Sequence, residues 1–174
     1  GIEASSGQYI LCLDADDKIG SDFLQDSVRI LQTNLEVGFV YTDVQYFGSR
    51  TDIISYGDFN PAGFLRNNQA TATSMFRREI FDSVGGYKEV MDGGLEDWEF
   101  WISAYENGWN GYRLAKPCFY YRQYDKGSML QNLVGNKLKL QTLFARIISL
   151  HSNLYTSEEI AWSHDLLNSS DNTF

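Results

Sequence analysis

Between Tyr9 and Asp17 the chain reads Tyr-Ile-Leu-Cys-Leu-Asp-Ala-Asp-Asp, an apolar run that breaks into three carboxylates. A continuous run of this kind predicts a strand buried on both faces, central in an α/β sheet. The carboxylates Asp14, Asp16 and Asp17 then fall at its carboxyl end, the edge at which open α/β sheets bind ligands. Asp14 and Asp16, two positions apart, are expected to leave the strand on the same side. Like charges held this close call for a cation, and hard carboxylate oxygens suit Mg²⁺ or Mn²⁺. A plain solvated turn with one capping aspartate competes for the same residues. A calcium loop of the EF-hand type is disfavoured, because Lys18 takes the next alternate ligand position and Gly20 falls one place late.

The rest of the composition narrows the partners. With 23 acidic against 14 basic residues and a formal charge of −9, the chain has no electrostatic footprint for nucleic acid or an anionic membrane surface. An anionic ligand would therefore need a metal between it and the protein. Cys12 in the apolar run and Cys118 after Pro117 show no paired spacing, so Cys12 is expected as a buried free thiol in a reducing, cytoplasmic setting, free or peripheral to the membrane. No apolar run approaches the length of a transmembrane segment. The chain opens Gly1-Ile2-Glu3 and reaches its central strand almost at once, which predicts a fragment whose preceding βα units lie elsewhere.

Along the chain, Ser21 is placed to cap a helix over 22–33 with Phe23, Leu24, Val28 and Leu31 inward. Val37 to Phe47 reads as a strand bent near Asp43, paired with 52–55 across Gly48-Ser49-Arg50. A short helix is expected from Pro61, a strand over 69–76, and a helix over 78–84 stopped by Gly85-Gly86. Trp98, Trp101, Ile102 and Tyr105 recur at helical spacing before Gly108, which predicts a helix from Glu96. Short strands follow at 112–114 and 119–122. From about 128 long helix formers take over, with a capping box at Thr156 and Glu159 and a frayed tail from Asn168. The expected division is residues 1–127 as an α/β unit and 128–174 as a helical appendage.

Glu96 and Asp97 open their helix, where acidic residues suit the helix dipole regardless of function. The Gly93-Gly94 loop before them allows close approach to a ligand. Trp98 and Trp101 lie on the apolar stripe, with Trp98 near enough to the helix start to be partly exposed. Arg122, Tyr124 and Ser128 follow the last strand, and a plain surface loop is their default reading.

Taken together, Ala4-Ser5-Ser6-Gly7, Leu13-Asp14-Ala15-Asp16-Asp17, Met75-Phe76-Arg77-Arg78-Glu79-Ile80-Phe81, Gly85-Gly86-Tyr87 and Leu95-Glu96-Asp97-Trp98-Glu99-Phe100-Trp101 closely resemble the family 2 glycosyltransferases of the GT-A fold. The resemblance spans roughly residues 1 to 130. It implies a truncated GT-A domain, Rossmann-like, with a mixed, mostly parallel sheet and flanking helices. It also implies an inverting, metal-dependent transfer of sugar from a nucleotide-sugar donor to a saccharide or other hydroxyl acceptor. Carried over, Asp14 and Asp16 would hold the donor and Mg²⁺ or Mn²⁺, with Arg122 also on the donor. Asp97 would be the general base, with Glu96 and Trp98 on the acceptor side. Tyr124 stands where many relatives place a metal-site histidine. The fragment alone is expected neither to bind donor tightly nor to turn over.

Two other classes compete. A phosphatase of the haloacid dehalogenase type also places two aspartates at a strand end, but wants Thr or Val where this chain has Lys18. A noncatalytic sugar-binding module would keep the fold without the chemistry.

Overall fold

The computed structural model describes residues 1–125 and 133–171. Ser128 and the end of the tail, at 172–174, lie outside the described residues. Strand β1 (Tyr9–Leu11), the short β2 (Lys18–Ile19) and helix α1 (Phe23–Thr33) lead into the long β3 (Val37–Gly48). After β3 come β4 (Ile53–Ile54), α2 (Pro61–Phe64), β5 (Met75–Arg77), α3 (Arg78–Val84), α4 (Glu96–Glu106) and the 14-residue β6 (Asn110–Gln123). Two helices, α5 (Lys137–Leu150) and α6 (Ser157–Asp171), complete the described chain. The tail expected from Asn168 is thus helical as far as Asp171.

The sheet runs β1-β5-β3-β6-β2, with β4 also on β3. It is mixed, as expected: the long β3–β6 ladder is parallel, and the other described pairings, each of two or three residue pairs, are antiparallel. Among the described residues β1 lies at the edge of the sheet instead of the centre and pairs with β5. That placement explains why Ile10 is buried while Tyr9 and Leu11 are only partly so. Leu13, expected inside, is 44% exposed. The strand ends at Leu11, so period-two alternation does not reach Asp14 and Asp16.

β3 is the structural spine. Its stretch from Val37 to Val44 is buried throughout, the pattern of a strand covered on both faces. Phe39 and Tyr41 join Phe76, Phe100 and Trp101 in the larger apolar cluster. Val37 and Val40 join Ile30 and Leu31 of α1 in a smaller one. On α1 the inward positions are Phe23, Ser27, Ile30 and Leu31, whereas Leu24 is exposed. Ser21 does not cap this helix; Asp22 holds the N-cap position without a side-chain bond.

The bend expected near Asp43 is a register shift on either side of that residue, where β3 faces Pro117 of β6. Proline has no N–H to give to the ladder and is tolerated in a strand only at such irregularities. Thr42 fills the gap: its hydroxyl bonds the Lys116 carbonyl and accepts the Cys118 N–H at 3.0 Å. The two short strands expected at 112–114 and 119–122 are therefore one strand bulged at proline. Conversely, the strand expected over 69–76 shrinks to Met75–Arg77.

Helix α4 is wrapped more completely than a one-sided stripe. Trp101 stacks on Phe39 of the sheet at 4.8 Å between ring centroids, and Trp98 stacks on Phe144 of α5 at 5.4 Å. Leu143, Ile147 and Ile148 of α5 belong to the same apolar cluster as the sheet, so the helices after 128 are built into the main core. The expected capping box is present: Thr156 N–H donates to Glu159 Oε2 at 2.9 Å, and Glu159 N–H to Thr156 Oγ1 at 3.3 Å. Among the described residues no helix is long and apolar enough to cross a membrane.

Candidate active site

Asp14, Asp16 and Asp17 sit on a tight turn closed by the Asp17 N–H to the Asp14 carbonyl at 3.1 Å. Asp14 and Asp16 are exposed and Asp17 is buried. The end of β6 clasps this turn. The Arg122 backbone N–H donates to Asp17 Oδ1 at 2.8 Å, and its Nε donates to the Asp16 carbonyl at 2.9 Å. The Tyr124 hydroxyl donates to Asp16 Oδ2 at 2.9 Å. The Arg122 guanidinium lies over Phe47, 4.5 Å from the ring centroid, so its described bonds hold the turn. Burial raises the Asp17 carboxyl above its ordinary range, against the Arg122 N–H bond. Asp17 thus anchors the turn, and Asp14 and Asp16 are the carboxylates left facing solvent.

Mg²⁺ is commonly bound by one or two carboxylates plus substrate phosphates. Two exposed carboxylates fit that pattern, although Tyr124 already occupies one oxygen of Asp16. Among the described residues no group of three His, Cys, Asp or Glu side chains is placed to hold a metal unaided. An ion here would have to be completed by a ligand.

Asp97 lies in the first turn of α4, preceded by Leu95 at φ 60°, a left-handed conformation that side chains rarely adopt and that favours functional sites. Gly93 and Gly94, also at positive φ, permit the approach. Asp97 Oδ1 accepts the Trp98 N–H at 2.7 Å and Oδ2 accepts the Asn68 amide at 3.3 Å. The residue keeps some exposed surface, yet its carboxyl group is enclosed. Burial, with help from the neighbouring Glu96 charge, pushes its pKa up to about 6 despite both hydrogen bonds. A carboxylate in that range can accept a proton near neutral pH.

Glu96 lines a cleft of about 700 Å³ together with Tyr87, Lys88, Glu89, Met91, Asp92 and Gly93. Trp98, expected beside it, is a core residue: it is 6% exposed, and its indole N–H donates to the Phe64 carbonyl at 2.9 Å. No face of its ring is left for a ligand.

Three phenols lie within electrostatic reach of the acidic residues. Tyr121 feels Asp17, Asp14 and Asp16. Tyr56, its pKa raised to about 12 by burial, feels Asp97 and Tyr121. Tyr87 is raised by burial and feels Cys12 and Asp97. Sequence reasoning assigned no site role to Asn68, Tyr56, Tyr87 or Tyr121 because none lies in an acidic motif, although Tyr87 falls in the Gly85-Gly86-Tyr87 motif of the resemblance.

No protein-family profile and no curated protein sequence matches this chain. Solved structures do. The chain is similar to Staphylococcus aureus TarS residues 1–349 in complex with UDP-GlcNAc, at 16% identity and a TM-score of 0.64, over 95% of this chain and 48% of that one. The same fragment with UDP gives 16% and 0.61, over 95% and 46%. A longer TarS structure gives 17% and 0.59, over 95% and 28%. The chain shares its mixed α/β fold with part of TarS, and it spans about half the length of the TarS 1–349 structures that it matches.

Proposed function

We propose that this chain forms part of an inverting glycosyltransferase that uses a nucleotide-sugar donor, with Asp97 as the general base. The observation that carries the reading is Asp97 itself, a carboxylate enclosed at the start of α4 and held there by the Trp98 N–H and the Asn68 amide, with its pKa pushed up to about 6 by burial. The likeness to TarS, whose structures hold UDP-GlcNAc and UDP, supports a nucleotide-sugar as the donor class. An acceptor hydroxyl entering from the Glu96 cleft gives its proton to Asp97 as its oxygen attacks the anomeric carbon. The bond to the diphosphate breaks on the opposite face, and its electron pair leaves with the nucleoside diphosphate. Asp14 and Asp16 would hold a divalent cation together with the diphosphate, and when bound it would offset the charge on that leaving group. Arg122, Asp17 and Tyr124 keep the acidic turn in shape.

The test uses the protein that contains this chain, incubated with UDP-GlcNAc and other nucleotide-sugars in the presence of Mg²⁺ or Mn²⁺. Release of nucleoside diphosphate with an inverted product supports the proposal. Release of inorganic phosphate from sugar phosphates would instead support the phosphatase class. Sugar binding without either product would support a noncatalytic module.

A further inference from the structure

We infer that Asn68 is the positioning residue of Asp97, its side-chain amide holding one carboxylate oxygen while the Trp98 N–H holds the other. The inference rests on the reading of Asp97 as the base. Asn68 Oδ1 accepts the Ala70 N–H at 3.2 Å, which fixes the amide so that its NH₂ faces Asp97 Oδ2, 3.3 Å away. An amide so pinned can only donate to the carboxylate.

The segment that carries Asn68 is tied down on both sides. Trp98, next to Asp97, donates through its indole to the Phe64 carbonyl at 2.9 Å. The Tyr155 hydroxyl donates to the Leu65 carbonyl at 3.0 Å, and Arg66 pairs with Glu159 of α6 at 2.8 Å. Base and positioning residue are thereby fastened to each other through Trp98 as well as directly. The same segment buries Gln69 Oε1 and Thr71 Oγ1 without hydrogen-bond partners among the described residues, a cost that calls for an explanation beyond packing.

Besides its burial, the charged group that acts on Asp97 is Glu96 of its own helix; the phenols of Tyr56, from the segment after β4, and Tyr87, from the segment after α3, feel the Asp97 charge in turn and are themselves neutral where it titrates. Glu96 and burial favour the protonated form; Asn68 opposes them by donating to the anion. Without Asn68 the carboxylate would keep its proton to higher pH and lose one of its two fixed bonds.

The experiment is a ¹³C NMR titration of aspartate carboxyls in the 174-residue chain, with Asp97 assigned by its loss in Asp97→Asn. Asn68→Ala should raise the Asp97 midpoint by about one pH unit. Asn68→Asp, which keeps the side-chain shape and replaces the donor by a second carboxylate, should raise it at least as far. An unchanged midpoint in either folded variant overturns the inference. In the protein that contains this chain, the acid limb of the transfer rate should move with the midpoint while the donor KM stays constant. If the NMR midpoint moves and the acid limb does not, the link from Asn68 to Asp97 stands and Asp97 falls as the base.

Discussion

His151, at the end of α5, is 4% exposed and touches two carboxylates of α4. Its Nδ1 is 2.5 Å from Glu106 Oε2, and its Nε2 is 3.1 Å from Glu99 Oε1. Glu99 is fully buried. It also accepts the Ser103 hydroxyl at 2.8 Å, and its second oxygen has no partner among the described residues. Both ring nitrogens face carboxylate oxygens, and only the imidazolium can donate to both. Burial opposes that charge more than any other single influence, and the two glutamates together outweigh it, so the pKa stands above the ordinary histidine range. His151→Ala would leave Glu99 as an uncompensated buried charge. Breaking a buried pair from one side costs about 3–5 kcal/mol, a third or more of the stability of a marginal domain. In a chain of this size that corresponds to a fall in Tm on the order of 10 °C. The pH dependence follows from the raised pKa. Its stabilising contribution is fully present below the unfolded value of about 6.5 and is lost as pH rises through the folded value. Urea unfolding at pH 6 and pH 9 should show the deficit of the variant largest at pH 6. A loss below about 1 kcal/mol at pH 6, or a deficit that grows with pH, would refute the assignment of His151 as a charged clamp between α5 and α4.

Asp97→Asn should stabilise the fold at neutral pH. A carboxyl with a folded pKa of about 6 binds its proton more tightly folded than unfolded, so it destabilises above that pH and has no effect below about 3.9. Thermal melts should show the gain at pH 7.5 and its disappearance near pH 4. Gly94→Ala places a Cβ 2.8 Å from Leu133 Cδ2 at a φ of +136°, and should cost about 1–3 kcal/mol in urea unfolding. Arg122→Ala removes the bond to the Asp16 carbonyl, and calorimetry in the protein that contains this chain should show donor binding weakened about tenfold.

What could be read from the sequence was local. Helix α3 ends at Gly85 in a left-handed conformation, and β3 pairs with β4 across the expected turn; both follow from neighbours in sequence. The Thr156 capping box has the same character. The misses depended on tertiary partners. Leu24 and Ser27 exchanged the expected outside and inside of α1 because the sheet face, not hydrophobicity alone, decides which side of a helix is covered. Pro117 read as a break because its compensating hydroxyl belongs to Thr42, which bonds the Lys116 carbonyl 74 positions later in the chain. Asn68 was invisible for the same reason, since its carboxylate lies 29 positions later. Asp97 and the acidic turn were legible as residue types in motifs. That Tyr56, Tyr87 and Tyr121 lie within electrostatic reach of these carboxylates was not, because the three come from separate segments.

Asp97→Asn in the protein that contains this chain, with transfer from the nucleotide-sugar and donor affinity measured on the same preparation, tests the role of Asp97 most directly. Loss of the general base should lower turnover by about 10²–10⁴-fold while donor affinity stays within the error of the wild type. Turnover within a few-fold of the wild type would contradict it.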